Sequence, residues 1–103
     1  MISIIVEDRT IVVDGLGARS LDNRVASLVA PDVRALQFHE GRGIGHIEFA
    51  YEYGDDRRDN QHITASDINI PAIRALHATL VAEEEARIAE EAARRVEEAN
   101  DVV

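Results

Sequence analysis

The chain has 103 residues, with 20 acidic against 11 basic side chains and a formal net charge of -9. That length allows one domain with a modest core and leaves little room for a large substrate cleft. The charge would repel a phosphate backbone and an anionic membrane surface alike, so nucleic acid and membrane are not expected partners. Every basic residue is arginine, and cysteine is absent, which excludes a disulfide framework, a thiol nucleophile and a thiolate metal site.

The first residues, MISIIVEDR, hold a brief apolar run with no preceding base and with acids directly after it, which is not the pattern of a signal peptide. No apolar stretch approaches the roughly 20 residues that span a bilayer. The expectation is a protein soluble where it is made. Residues 2–6 and 11–13 are rich in β-branched side chains and flank the polar Glu7-Asp8-Arg9-Thr10, which predicts a first hairpin. Asp14-Gly15 supplies a turn where positive φ is cheap, Gly17 adds flexibility, and the second strand is expected to end there. Leu21, Val25, Leu28 and Val29 recur at helical spacing between a potential Ser20 N-cap and Pro31, so the pattern predicts a short helix over 20–30.

Residues 31–49, PDVRALQFHEGRGIGHIEF, read as a hairpin: Val33, Leu36 and Phe38 supply apolar mass, and Gly41, Gly43 and Gly45 crowd the turn. In the return strand Ile47, Phe49, Tyr51 and Tyr53 alternate with His46, Glu48, Ala50 and Glu52, giving one apolar and one wet face. Residues 54–61, GDDRRDNQ, form a charged loop. Beyond it Thr64-Ala-Ser-Asp67 resembles a capping box, which predicts a turn near 65–69. Pro71 suits the first turn of a long helix from about residue 71 to about 100, and Ile70, preceding it, is biased away from helical backbone.

That helix changes character halfway. Ile73, Leu76, Leu80 and Val81 give its first part an amphipathic stripe for docking on the sheet. Residues 82–101 carry six alanines, seven glutamates and three arginines, with Ile88 and Val96 alone as large apolar side chains. Alanine propensity and the i,i+4 pairs Glu83/Arg87, Glu90/Arg94 and Glu91/Arg95 support helicity there, at about 0.2–0.5 kcal/mol per pair. The positions Ile70, His77, Val81, Ile88, Ala92, Ala99 and Val103 follow steps of seven and four, a period that favours a nearly straight or slightly right-handed bundle. The bland reading is a solvated single helix; the functional one is self-association or partner docking, for which Ile73, Leu76, His77, Leu80, Val81 and Ile88 are the candidate contact residues. The glutamates at 83–85, 90, 91, 97 and 98 could likewise be a solvated face or a negative surface that meets a basic partner.

Catalytic and cofactor chemistry finds little support, and no enzyme, cofactor or metal is expected. His39 and His46 would approach one another across a hairpin, with Glu40 or Glu48 as a third metal ligand, yet the spacing matches no standard motif and solvent-face strand positions explain both. Asp55, Asp56 and Asp59 are interleaved with arginine and lack the glycine and distal glutamate of a calcium loop. Gly41-Arg42-Gly43-Ile44-Gly45 lacks the lysine and Ser/Thr of a phosphate loop and leads into a strand.

Residues 31–38, PDVRALQF, followed after a glycine-containing turn by Gly45-His46-Ile47-Glu48-Phe49, resemble small tail fibre assembly or tail assembly chaperone proteins of tailed bacteriophages, with Val13-Asp14-Gly15 as the matching earlier turn. The likeness covers about residues 11–53; Pro31 and Asp32 are adjacent, and Phe38 stands where that pattern more often has tryptophan. The resemblance implies a non-enzymatic, chaperone-like protein that binds a phage tail or fibre component in the bacterial host cytoplasm during assembly. The alternative is a stoichiometric virion tail or fibre component whose helix self-associates. The sequence thus predicts an α+β protein: a β-rich module over 1–64 with a small, mostly antiparallel four-stranded sheet and a short inserted helix, then a C-terminal helix over 65–103. So small a core rarely supplies more than about 3–5 kcal/mol, which makes a homo-oligomer the expected state.

Overall fold

The computed structural model describes residues 1–50 and 59–100. It is α+β: a six-stranded antiparallel sheet with one long C-terminal helix. The strands are β1 (Ile2–Ile5), β2 (Thr10–Val13), β3 (Leu16–Arg19), β4 (Val33–His39), β5 (Ile44–Phe49) and β6 (Gln61–Thr64), and the helix α1 runs Ile70–Asn100. Their spatial order is β3-β2-β1-β4-β5-β6. Two three-stranded meanders are thus joined edge to edge through the antiparallel β1–β4 pair.

The expected four strands become six because the chain pairs again directly after Asp14-Gly15 and once more at Gln61–Thr64. Asp14 and Gly15 both have positive φ, 50° and 84°, the geometry of a two-residue hairpin whose twist matches that of its strands. The second strand therefore folds back at once as β3, in which only Ala18 is buried. At the other edge Gln61–Thr64 pairs with β5, with Ile63 alone facing the core. Tyr51, Tyr53 and most of the charged loop lie outside the described residues.

The expected helix over 20–30 contracts to a single 3₁₀ turn at Ala26–Leu28. Ser20 does not cap it. The Ser20 hydroxyl is buried and donates to Asp22 Oδ1 at 2.6 Å, and the Asp22 and Arg24 amides turn back onto Ser20 Oγ and Asp22 Oδ1. Such local side-chain bonds compete with helix formation. The turn still places Val25 fully inside the core, with Leu28 and Val29 packed against it.

Alternation along the strands puts Ile2, Ile4, Ile11, Val13, Leu36, Phe38 and Ile63 on one face, where Ile73 and Leu80 of α1 close the core. Gly45 lies in that face opposite Phe38 as a strand residue, not in the turn; a Cβ there would meet Gln37 O at 2.1 Å and Phe38 Cα at 2.8 Å. The turn itself uses Gly43 at φ 66°. Thr64 and Asp67 form the expected capping box around a 3₁₀ turn at Ala65–Asp67. Asn69 Oδ1 then accepts the Ala72 amide at 3.1 Å, which draws Ile70 into the helix despite the proline after it.

Candidate interaction surface

The helix divides at Glu83. Up to and including it, Arg74, His77 and Glu83 fasten α1 to the sheet and to the 20–30 segment. Arg74 pairs with Glu40 in the β4–β5 turn and lies 3.8 Å from Asp14 in the β2–β3 turn. The buried His77 donates its Nε2 proton to the Leu16 carbonyl oxygen at 2.7 Å, satisfying an acceptor at the start of the edge strand β3. Arg24 reaches both carboxylate oxygens of Glu83 at 2.9 Å, so Glu83 is anchored by a residue 59 positions away instead of pairing with Arg87. Glu83 and Asp22 hold the Arg24 pKa above its usual value, with the Glu83 hydrogen bond the larger cause. The Ser20 hydroxyl, and then Arg24, pull the Asp22 carboxyl down to about 2.

These contacts sort the six candidate contact residues. Ile73, His77 and Leu80 are buried against this chain's own sheet, and Leu76 and Val81 pack at the margin of the same core. They are spent on the fold. Ile88 alone of the six is free for another molecule, 60% exposed. The two surfaces belong to one unbroken helix with a shared periodicity, so the spacing of apolar residues alone does not separate them.

From Glu84 to Asn100 every residue is exposed, and Val96, at 61%, joins Ile88. Among the described residues, the ion pairs in this half stay within the helix: Glu90–Arg94 at 3.9 Å and Glu91–Arg95 at 3.0 Å. At about 100° per residue, Ile88, Val96 and all the alanines from 82 to 99 fall within roughly 160° of arc, whereas every charged residue but Glu85 falls in the opposite arc. The centre of this apolar arc is turned by roughly 130° from the Ile73–His77–Leu80 stripe, so it does not continue the core-facing side. A 17-residue stretch of helix therefore projects with a segregated apolar face that no other described residue covers.

The rest of the molecule offers less. A cleft of about 330 Å³ is lined by Leu36, Ile47 and Ile63 of the sheet and by Leu28, Val29 and Ile68 of the segments on either side. Its rim groups are already engaged: Ser27 donates to the Arg24 carbonyl oxygen, Asp67 closes the capping box and Asn69 caps α1. On the sheet face opposite the core His39 is paired with Ile44, not His46; the cross-strand partners of His46 are Gln37 and His62. His46 Nε2 lies 3.9 Å from Glu48 Oε1, and Glu48 is held by Arg34 at 3.2 Å. The pairing with His62 was not foreseeable without β6. Among the described residues no three histidine or carboxylate side chains converge on a metal position, and no helix is long and apolar enough to cross a membrane. Asp55 and Asp56 lie outside the described residues. No protein-family model, curated protein or solved structure matches the chain.

Proposed function

We propose that this chain is a non-enzymatic binding protein of bacteriophage tail or tail-fibre assembly, which holds a tail or fibre component through the projecting half of α1 in the host cytoplasm. The observation that carries this reading is the uncovered apolar face around Ile88 and Val96, on a helix whose first half is already committed to the core. The phage assignment draws its support from the likeness of residues 31–49 to fibre assembly proteins. The same geometry supports chaperone-like action: an acidic, alanine-rich arm can cover a partner's apolar surface and keep the complex soluble through its charged outer face.

Co-expression with each tail and fibre protein from its own gene neighbourhood, followed by size-exclusion chromatography, tests the reading. Co-elution with one of them is expected. A strictly monomeric chain that co-elutes with none would remove it. The other reading, a stoichiometric tail or fibre component whose helices self-associate, is separated by mass spectrometry of purified particles. A chaperone is absent or sub-stoichiometric there, whereas a component is present at fixed ratio.

A further inference from the structure

The projecting helix also specifies the chemistry of what covers it. Residues 84–100 carry six glutamates against three arginines. Their placement around the helix is uneven. Arg87 and Arg94 fall near the middle of the charged arc, facing away from the apolar side, while Glu90 and Glu97 border that side on one flank and Glu84 and Glu91 lie along the other, with Arg95. Glu85 falls inside the apolar arc, one turn from Ile88, and makes no ion pair among the described residues. A molecule that buries Ile88 must therefore bury or border Glu85, and an unpaired carboxylate in an interface is strongly unfavourable.

A second copy of this chain fits that demand poorly. Parallel pairing would set Glu85 against Glu85, antiparallel pairing would bring the Glu90/Glu97 flanks together, and two chains of formal charge -9 repel one another. Small side chains along the stripe, alanine at 89, 92, 93 and 99, let another backbone approach closely, as in helix-to-helix packing. We propose that the occupant is an amphipathic α-helix of another protein, with an apolar stripe bordered by lysine or arginine and with one cation placed to meet Glu85. This inference rests on the binding role proposed above and narrows its partner to a basic helical segment.

The test uses two synthetic helical peptides of about 20 residues with the same leucine–alanine stripe, one bordered by lysine and the other by glutamate, titrated into the isotopically labelled full chain. The lysine peptide is expected to shift the amide resonances of residues 84–100 selectively and to bind at least about ten-fold more tightly than the glutamate peptide. Glu85→Arg should narrow that preference, and the Ile88→Asp/Val96→Asp double variant should lose binding while keeping the Tm of the parent, because both positions are exposed. Equal binding of the two peptides, shifts confined to the sheet, or no binding would overturn the inference. So would sedimentation equilibrium showing that the chain alone dimerises through Ile88 and Val96. A tail or fibre protein that co-elutes with the double variant as well as with the parent would sink this inference and leave the assembly role standing.

Discussion

Gly45→Ala is the most demanding test of the sheet as described. The added methyl carbon would lie 2.1 Å from the Gln37 carbonyl oxygen, 2.8 Å from Phe38 Cα and 3.0 Å from the Gln37 carbonyl carbon. Ordinary contacts between such atoms are about 3.5 Å, so β4 and β5 must separate locally by about 1 Å. All three obstructing atoms are backbone and cannot rotate aside, which places the cost at the upper end of the overpacking range, about 3 kcal/mol. For a domain of this size that corresponds to a fall in Tm of about 12–24 °C. Urea and thermal denaturation followed by circular dichroism would measure it, with two glycines of the adjoining turn as controls. Gly41→Ala meets nothing within 4 Å and should stay within about 0.5 kcal/mol of the parent. Gly43→Ala has space but sits at φ 66°, so it should lose about 1 kcal/mol. A Gly45→Ala protein as stable as Gly41→Ala would refute the β4–β5 register and the close approach at Phe38.

The division of α1 has its own signature. Leu80→Ala opens the core and should cost about 2–5 kcal/mol, whereas Ile88→Ala removes an exposed side chain and should change stability by less than about 0.5 kcal/mol; equal losses would mean that the second half also packs on the domain. The Asp22 turn makes a prediction in pH. Its folded pKa, about 2, lies below the ordinary value of 3.8, so its contribution is present above pH 3.8 and disappears as pH falls towards 2. Asp22→Asn should accordingly lower Tm at neutral pH and converge with the parent near pH 2, and a Tm difference independent of pH would show that the carboxylate charge is not what holds the turn.

The elements that were legible in the sequence are those whose apolar residues face one side in number. β1, β2, β4 and β5 each bring strong β-branched or alternating patterns, and the capping box with Pro71 marks the start of α1 to within about a residue. β3 and β6 escaped because each buries one side chain, Ala18 or Ile63, and is held mainly by backbone pairing that leaves no pattern in composition. The Asp14-Gly15 pair was the available signal, since an Asp-Gly turn after a strand favours immediate return. The helical spacing of Leu21, Val25, Leu28 and Val29 misled because the Ser20–Asp22–Arg24 hydrogen bonds satisfy that backbone locally. Burial also divides the candidate contact residues in a way that periodicity could not: Leu80 and Ile88 are two turns apart on one helix, yet one closes the core and the other faces solvent.

Hydrogen exchange on α1, in the free chain and in the presence of any tail or fibre protein found to co-elute with it, distinguishes the two halves of the helix. In the free protein, amides of residues 84–100 should exchange faster than those of residues 73–80, because exposed helix opens locally at low cost whereas the core-facing turns open only with the domain. Binding should slow exchange at 84–100 by at least about ten-fold and leave the sheet unchanged. A complex in which residues 84–100 exchange as in the free chain, with protection gained elsewhere, would mean that the projecting half of α1 is not the binding surface.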